Sequence, residues 1–309
     1  MEVYPNYYDK FSCINSRCQH NCCIGWEIDI DEETYSYYNS LNGKLGKKLK
    51  ENICLSDEGN LCFKLSDNER CPFLDRNNLC EIIKELGEDS LCQICADHPR
   101  FVNCIDDREE IGLGMCCEAA ASLILTQKER FKLLPEYDGK NETLLLRDEV
   151  INEIQNSRNS SKKTAELLAS KFKLNFSKAE IKQCIEFLIT LEALNVNWTS
   201  ILKELWEQFD ELDFDAFLEY IGKRDCEYKN LLTYFAYRHL SVSRDLSEFS
   251  ARMGFVLLGY YILYSLGAFI FKRDSSMPVS MSVELARMYS AEIEYSEENT
   301  DLIIQKFAC

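Results

Sequence analysis

The segment "GFVLLGYYILYSLGAFIF", residues 254–271, runs for 18 residues without one charged side chain. That length is at the lower limit for a transmembrane helix, but the run contains three glycines, three tyrosines and one serine, and the sequence has no second segment of this kind. A helix buried on all sides in a helical core gives the same signal. We therefore predict a buried core helix and no membrane insertion.

The sequence on both sides of this segment also has helical character. Three stretches read as helices: "WTSILKELWEQF", "YKNLLTYFAYRHL" and the amphipathic "SVELARMYSAEIEYSEENTDLIIQKF". Ser177 and Glu180 form a capping box, and apolar residues follow at helical spacing, at Ile181, Cys184, Ile185 and Leu188. No alternating run predicts a long strand. The sequence therefore predicts a mainly α fold, with an all-helical domain over residues 126–309.

Residues 1–125 differ from the rest of the chain in cysteine content. Of the 16 cysteines, thirteen lie between Cys13 and Cys117, and three follow, at Cys184, Cys226 and Cys309. Turn-forming sequences such as "LNGK" and "DRNN" separate short apolar pieces. Among these pieces we predict one helix that ends near Gly87 and another that begins near Cys116. We predict a small cysteine-rich metal-binding module over residues 1–125, ahead of the helical domain.

The composition and the first residues of the chain indicate which partners it binds and in which compartment it resides. The net charge is −17 at pH 7 and no basic stripe with interleaved aromatic residues occurs, so we predict no nucleic-acid binding. The first residues, "MEVYPNYYDK", have neither the basic nor the apolar region of a secretory signal, and we expect a cytoplasmic protein. Thiols stay reduced in that compartment, where clustered cysteines more often bind metal than form disulfides.

The grouping of the cysteines predicts a thiolate metal site. Four thiolates make one site, which selects zinc or an iron–sulfur cluster, and spacing does not decide between these two. Gly25 stands where the C-x3-C-x2-C pattern of radical enzymes needs its last cysteine. Four further cysteines are open to three interpretations: they are additional metal ligands, redox-sensitive thiols or residues without a special role. They are Cys54, Cys62, Cys92 and Cys104. The predicted site draws on Cys13, Cys18, Cys22, Cys23, Cys71, Cys80, Cys95, Cys116 and Cys117.

The order of four segments, "FSCINSRCQHNCCIGWEIDID", "RCPFLDRNNLCEI", "ELGEDSLCQICADHPR" and "CCEAAASLIL", resembles the FliB family, the flagellin lysine-N-methylases. The N-terminal part is similar to YkgJ-type cysteine-cluster proteins, and "AEIEYSEENTDLII" resembles the ending of the FliB family. The resemblance implies methyl transfer from S-adenosylmethionine to lysine ε-amines of flagellin or a similar protein, together with a [4Fe–4S] cluster. His98 departs from the family pattern, which usually has Tyr before Pro-Arg, and Cys54, Cys62, Cys92 and Cys104 are additional cysteines.

Catalytic candidates are few. No G-x-G-x-x-G fingerprint occurs, so a bound S-adenosylmethionine would need a fold other than the doubly wound one. His98 is a candidate base and Arg100 a candidate partner of the donor carboxylate; the alternatives are a loop histidine bonded to backbone and an ion pair of Arg100 with Asp97. Glu292 and Glu294 lie in the family-like ending, where a solvated helix face is the alternative.

Three functions are compatible with these features. The first is a lysine methyltransferase with a metal cluster, in which a deprotonated amine attacks the methyl group directly and in line. The second is a non-enzymatic iron- or zinc-binding module. The third is an iron–sulfur redox or radical enzyme that acts on another substrate.

Overall fold

The computed structural model describes residues 1–66, 68–136 and 141–308. Its strands are β1 (Glu2–Pro5), β2 (Ile53–Leu55), β3 (Leu61–Phe63), β4 (Arg100–Ile105), β5 (Arg108–Leu113) and β6 (Leu133–Leu134). Its α-helices are α1 (Glu32–Ser40), α2 (Gly43–Glu51), α3 (Glu81–Leu86), α4 (Gln93–Asp97), α5 (Glu118–Leu125), α6 (Glu142–Asn156), α7 (Ser161–Lys171), α8 (Lys178–Thr190), α9 (Val196–Gln208), α10 (Phe214–Ile221), α11 (Asp225–Leu240), α12 (Leu246–Asp274), α13 (Val279–Tyr289) and α14 (Glu297–Phe307). The prediction of a mainly α fold is confirmed.

The chain divides into two compact units. The helical unit comprises Met1–Phe11 with Val102–Cys309, and the cysteine-rich unit comprises Ser12–Phe101. These bounds differ from the predicted 1–125 and 126–309. The first residues belong with the C-terminal helices because β1 pairs in parallel with β5 and antiparallel with β6. Pairing between strands a hundred residues apart leaves no periodic signal in the sequence.

The helical unit is built around α12, which has 29 residues and an almost entirely buried central part. By length and apolar composition this helix is long enough to cross a membrane, but 94% of its most apolar window is buried inside the protein. The prediction of a core helix is confirmed. Its glycines are explained by close packing: a Cβ on Gly259 would lie 2.8 Å from the Phe235 ring, and one on Gly267 would collide with the Tyr228 hydroxyl.

Helix α8 follows the sequence signals closely. The Ser177 side chain accepts a hydrogen bond from the Glu180 backbone N–H, as the capping box predicts. The four apolar residues at 3,4 spacing are all buried, at Ile181, Cys184, Ile185 and Leu188. Local chemistry therefore sets the start of this helix, and its apolar face is buried in the unit.

The helical unit also contains a sheet with the strand order β4-β5-β1-β6, of which only the two-residue β6 lies within residues 126–309. Helix α5 begins at Glu118, close to the predicted start near Cys116. It ends at Leu125, the Thr126 hydroxyl donates to the Ser122 carbonyl, and the following segment reaches the sheet at β6. The strands are short, which is why no alternating run predicted them.

The cysteine-rich unit consists of short elements around a small core. Asp31 holds two of them together, because its carboxylate accepts from the N–H of Thr34 in α1 and from the N–H of Gln93 in α4, at 2.8 and 2.9 Å. Gly87, with φ of +92°, ends α3 as predicted. The core includes Ile28, Tyr38, Leu49, Phe63, Cys71, Phe73, Ile82 and Cys92.

Candidate functional site

Six cysteines of the cysteine-rich unit form one thiol cluster. Each interacts electrostatically or by a side-chain hydrogen bond with at least one other member. They come from three separate parts of the unit's sequence, and we call them the six-thiol cluster: Cys22, Cys23, Cys71, Cys80, Cys92 and Cys95.

Backbone hydrogen bonds bring these parts of the chain together. The N–H of Cys71 donates to the Cys23 carbonyl at 2.8 Å. Leu74 and Cys80 form an isolated antiparallel bridge, which closes the loop between Cys71 and Cys80. Cys80 is the residue before α3, and Cys92 is the residue before α4. The main-chain hydrogen bonds of the unit therefore bring these six thiols close to one another.

The thiols change one another's acidity. A hydrogen bond from the Cys23 thiol lowers the pKa of Cys22 to about 7, and one from Cys95 lowers the pKa of Cys92. The two donors have raised pKa values for the same reason. Burial raises the pKa of Cys71 to about 11, and nearby thiolates add to the effect. A positive metal ion would relieve this mutual repulsion, because it stabilises the thiolate form.

The cluster is not a preformed coordination shell. In the part of the chain that the structure describes, no group of three or more His, Cys, Asp or Glu side chains is arranged to hold a metal ion. The donor chemistry nevertheless fits a soft metal, because six thiols are more than the four that a zinc or iron–sulfur site uses.

The other predicted ligands lie elsewhere. Cys13 is exposed, and its sulfur accepts from the Asn15 N–H at 3.4 Å. The Cys18 thiol lies 3.2 Å from the carbonyl oxygen of His20. Cys116 and Cys117 belong to the helical unit. Cys309 lies outside the described residues.

Cys92 is the cluster member that the predicted ligand set omitted. A usable signal existed, because Cys92 and Cys95 have the C-x2-C spacing that is common in metal sites. Cys54 and Cys62 pair with each other instead, with their sulfurs 3.5 Å apart. Cys104 is exposed.

His98 and Arg100 follow α4 closely. His98 is the residue after the helix, and burial, with the nearby Arg100 charge, lowers the pKa of its imidazole to about 4. Its ring centroid is 6.1 Å from that of Trp26, whose indole N–H donates to the Cys22 carbonyl. The Arg100 guanidinium donates to the Ala96 carbonyl at 3.2 Å. His98 is therefore neutral at pH 7 and a weak base.

Glu292 and Glu294 are buried, so the solvated-face alternative is wrong for both; Glu298 is exposed. The reason is the π-helical turn Ser290–Glu294, which directs both side chains inward. Glu292 accepts from the N–H groups of Leu194 and Asn195 at 2.7 and 3.0 Å, just before α9. Its carboxylate thus holds the loop ahead of that helix.

Glu294 lies at the centre of a buried polar network. Its carboxylate accepts from the Tyr234 hydroxyl at 3.0 Å and contacts the His239 Nε2 at 2.6 Å. The Arg238 guanidinium donates to the same Tyr234 oxygen at 2.8 Å. Burial opposes the charge of Glu294, but Arg238 and His239 outweigh it and lower its pKa to about 2.

Tyr295 connects this network with the surface. It is 44% exposed, and its ring lies 4.8 Å from the Arg238 guanidinium carbon. Its hydroxyl hydrogen-bonds with the Cys116 thiol and lies so close to Gly114 that a Cβ there would collide with it. Burial raises the pKa of Tyr295, so the phenol stays protonated at neutral pH. No spacing in the sequence pointed to Tyr234, Arg238, His239 or Tyr295.

Comparison with known proteins relates this helical unit to one family. Residues 103–308 match the family model described as the FliB lysine N-methylase C-terminal domain. The flagellar biosynthetic protein FliU of Salmonella muenchen is 31% identical over 134 residues, which cover 42% of this chain and 79% of that protein. A lysine-N-methylase of Salmonella typhimurium is 30% identical over 134 residues, or 42% of this chain. The match spans 33% of that lysine-N-methylase. No solved structure matches the chain.

Proposed function

The chain belongs to the FliB lysine N-methylase family, and from this membership we propose that it transfers the methyl group of S-adenosylmethionine to lysine ε-amines of flagellin or a similar surface protein. The observation that carries the proposal is the match of the family domain to residues 103–308, which contain the Glu294 network. The names of the relatives support lysine methylation as the activity of the family, and a protein of the flagellar system as its substrate. The reaction is proposed for the cytoplasm.

Tyr295 is the proposed contact for the acceptor amine. Its hydroxyl is protonated and hydrogen-bonded to Cys116, and the residue as a whole is 44% exposed, which gives an arriving lysine access to this part of the surface. Lysine methylation needs a deprotonated amine held in line with the methyl group, and positioning supplies much of the rate. Glu294 contributes a fixed negative charge behind Arg238 and Tyr234, which keeps this part of the surface rigid.

The six-thiol cluster is the proposed site of an iron–sulfur cluster, with zinc as the alternative. Four of Cys22, Cys23, Cys71, Cys80, Cys92 and Cys95 would supply the thiolates. Bound there, the metal would tie together three parts of the cysteine-rich unit and, if it is iron–sulfur, provide a redox-active centre. Protein prepared without oxygen should be brown and absorb broadly in the visible range; a colourless protein with stoichiometric zinc would exclude iron but keep the thiolate site.

The decisive experiment is incubation of the purified protein with labelled S-adenosylmethionine and flagellin, followed by mass analysis of the lysines. Methylated lysine and S-adenosylhomocysteine should accumulate together, and the rate should rise with pH as the amine deprotonates. Tyr295→Phe should slow transfer by roughly tenfold or more. Tyr220→Phe is the matched control, because Tyr220 is similarly exposed, at 41%, in the same unit.

Two results would overturn this function. If S-adenosylhomocysteine does not form with any lysine-bearing acceptor while metal is bound, the protein is a metal-binding module. If 5′-deoxyadenosine is an obligatory product, the donor is cleaved homolytically and the protein is a radical enzyme.

A further inference from the structure

Cys54 and Cys62 form a thiol pair separate from the six-thiol cluster. They are direct partners across the antiparallel strands β2 and β3. Their sulfur atoms are 3.5 Å apart, in hydrogen-bond contact. The proposed methylation uses neither residue.

The register of the hairpin permits a disulfide at this pair. Ser56 N–H donates to the Asn60 carbonyl and Lys64 N–H to the Asn52 carbonyl, each at 2.8 Å. These bonds lie two residues to either side, so Cys54 and Cys62 occupy a hydrogen-bonded pair of the ladder. Such pairs have Cα atoms about 5.5 Å apart, within the roughly 4.4–6.8 Å that disulfides span. The main-chain register therefore brings the two Cα atoms within the range that a disulfide can bridge.

The two thiols differ in accessibility. Cys62 is 4% exposed, whereas Cys54 is partly exposed. A reagent in solution reaches Cys54 first, and the Cys62 sulfur lies 3.5 Å from the Cys54 sulfur. This is the arrangement of an attacking thiol with a resolving thiol.

We propose that Cys54 and Cys62 form a reversible disulfide by exchange with a small-molecule disulfide, of which oxidised glutathione is the test case. The Cys54 thiolate attacks one glutathione sulfur, and the other glutathione leaves as a thiolate. The Cys62 sulfur then attacks the Cys54 sulfur, loses its proton and displaces the second glutathione as a thiol. Two protein thiols are oxidised, and one glutathione disulfide is reduced to two thiols.

The disulfide would act on the core of the cysteine-rich unit. Phe63, next to Cys62, packs against Phe73 with ring centroids 4.9 Å apart and against Tyr38 at 6.2 Å. Phe73 follows Cys71 by two residues, and both belong to the same buried core. Oxidation would therefore stiffen the β2–β3 hairpin. This hairpin contributes Phe63 to the same buried core that contains Cys71 and Cys92 of the six-thiol cluster.

Peptide mapping of the full-length protein tests the proposal. The protein is treated with oxidised glutathione, remaining thiols are alkylated with N-ethylmaleimide, and tryptic peptide 51–64 is weighed. This peptide, ENICLSDEGNLCFK, contains Cys54 and Cys62 and no other cysteine. It should carry neither reagent and be two hydrogen atoms lighter than the dithiol, and dithiothreitol should restore the dithiol. Amide hydrogen exchange in the hairpin should slow on oxidation.

Two variants separate the steps. Cys62→Ser should retain glutathione on Cys54, because no resolving thiol remains, and Cys54→Ser should leave the buried Cys62 reduced. In the wild-type protein, the internal disulfide should exceed the glutathione adduct by roughly tenfold or more, because the second thiol is already in contact. A stable adduct on wild-type Cys54, or a bond from either residue to another cysteine, would overturn the proposal. The wild-type result decides even if a variant misfolds, and it is independent of methylation.

Discussion

The two compact units reach stability by different means. In the cysteine-rich unit the longest helices have nine residues, and Cys71 and Cys92 are part of the buried core. In the helical unit α12 alone has 29 residues, and aromatic rings of neighbouring helices pack directly on its glycines. Small units bury a smaller fraction of their surface, so they more often need metal or disulfide ties. The difference is that buried thiols form part of the core in the cysteine-rich unit, whereas aromatic and apolar packing surrounds the core helix of the helical unit.

The largest expected effect is the loss of one cluster cysteine. With Cys92 as one of the four ligands, Cys92→Ser should release bound metal and expose residues 12–101 to proteolysis, because binding of a structural metal contributes on the order of 10 kcal/mol to folding. Metal content and limited proteolysis measure this. Cys226→Ser, at an exposed position in α11, is the control and should change neither. Equal effects of the two changes would remove the contrast between the units.

Phe235→Ala tests the opposite side of the comparison. Phe235 is fully buried and contacts Gly259 of the core helix, so the cavity should cost about 3–5 kcal/mol of unfolding free energy. Denaturant unfolding measures the loss, while metal content should stay unchanged. Leu194→Ala, at a 70% exposed position, should change stability by less than about 0.5 kcal/mol. If Phe235→Ala also lost metal, the idea that the two units are stabilised in different ways would be contradicted.

Acid should weaken the helical unit through Glu294. Its pKa falls from the ordinary value of 4.5 to about 2 in the folded protein, so its contribution is complete above pH 4.5 and is lost as pH falls toward 2. This contribution of Glu294 to the free energy of unfolding is about 3 kcal/mol at neutral pH. Denaturant midpoints between pH 7 and pH 2 should decrease less steeply in Glu294→Gln, although this variant starts from lower stability. If the midpoints of the wild-type protein and of Glu294→Gln fell equally steeply with pH, groups other than Glu294 would cause the loss of stability in acid.

The helix caps give the smallest expected effects. Ser177→Ala removes one capping bond of α8 and should cost about 1 kcal/mol. Asp31→Ala removes bonds to two helices of the smaller unit and should cost about 2 kcal/mol. Hydrogen exchange resolved by unit measures both. A larger loss from Ser177→Ala would show that the cysteine-rich unit depends less on such local ties than its size suggests.

The sequence by itself determined the local features. The charge-free run identified the core helix, Ser177 and Glu180 marked the start of α8, and Gly87 marked the end of α3. The order of the cysteine segments also pointed to the correct family. These features depend on neighbouring residues or on a linear order, which a sequence displays directly.

Only the tertiary structure decided which distant residues meet. It joined β1 to β5 and β6, placed Cys92 in the six-thiol cluster and paired Cys54 with Cys62. It also turned Glu294 inward, where Arg238 and His239 stabilise its charge. Spacing cannot show these contacts, because they depend on burial and on main-chain hydrogen bonds between segments far apart in the chain.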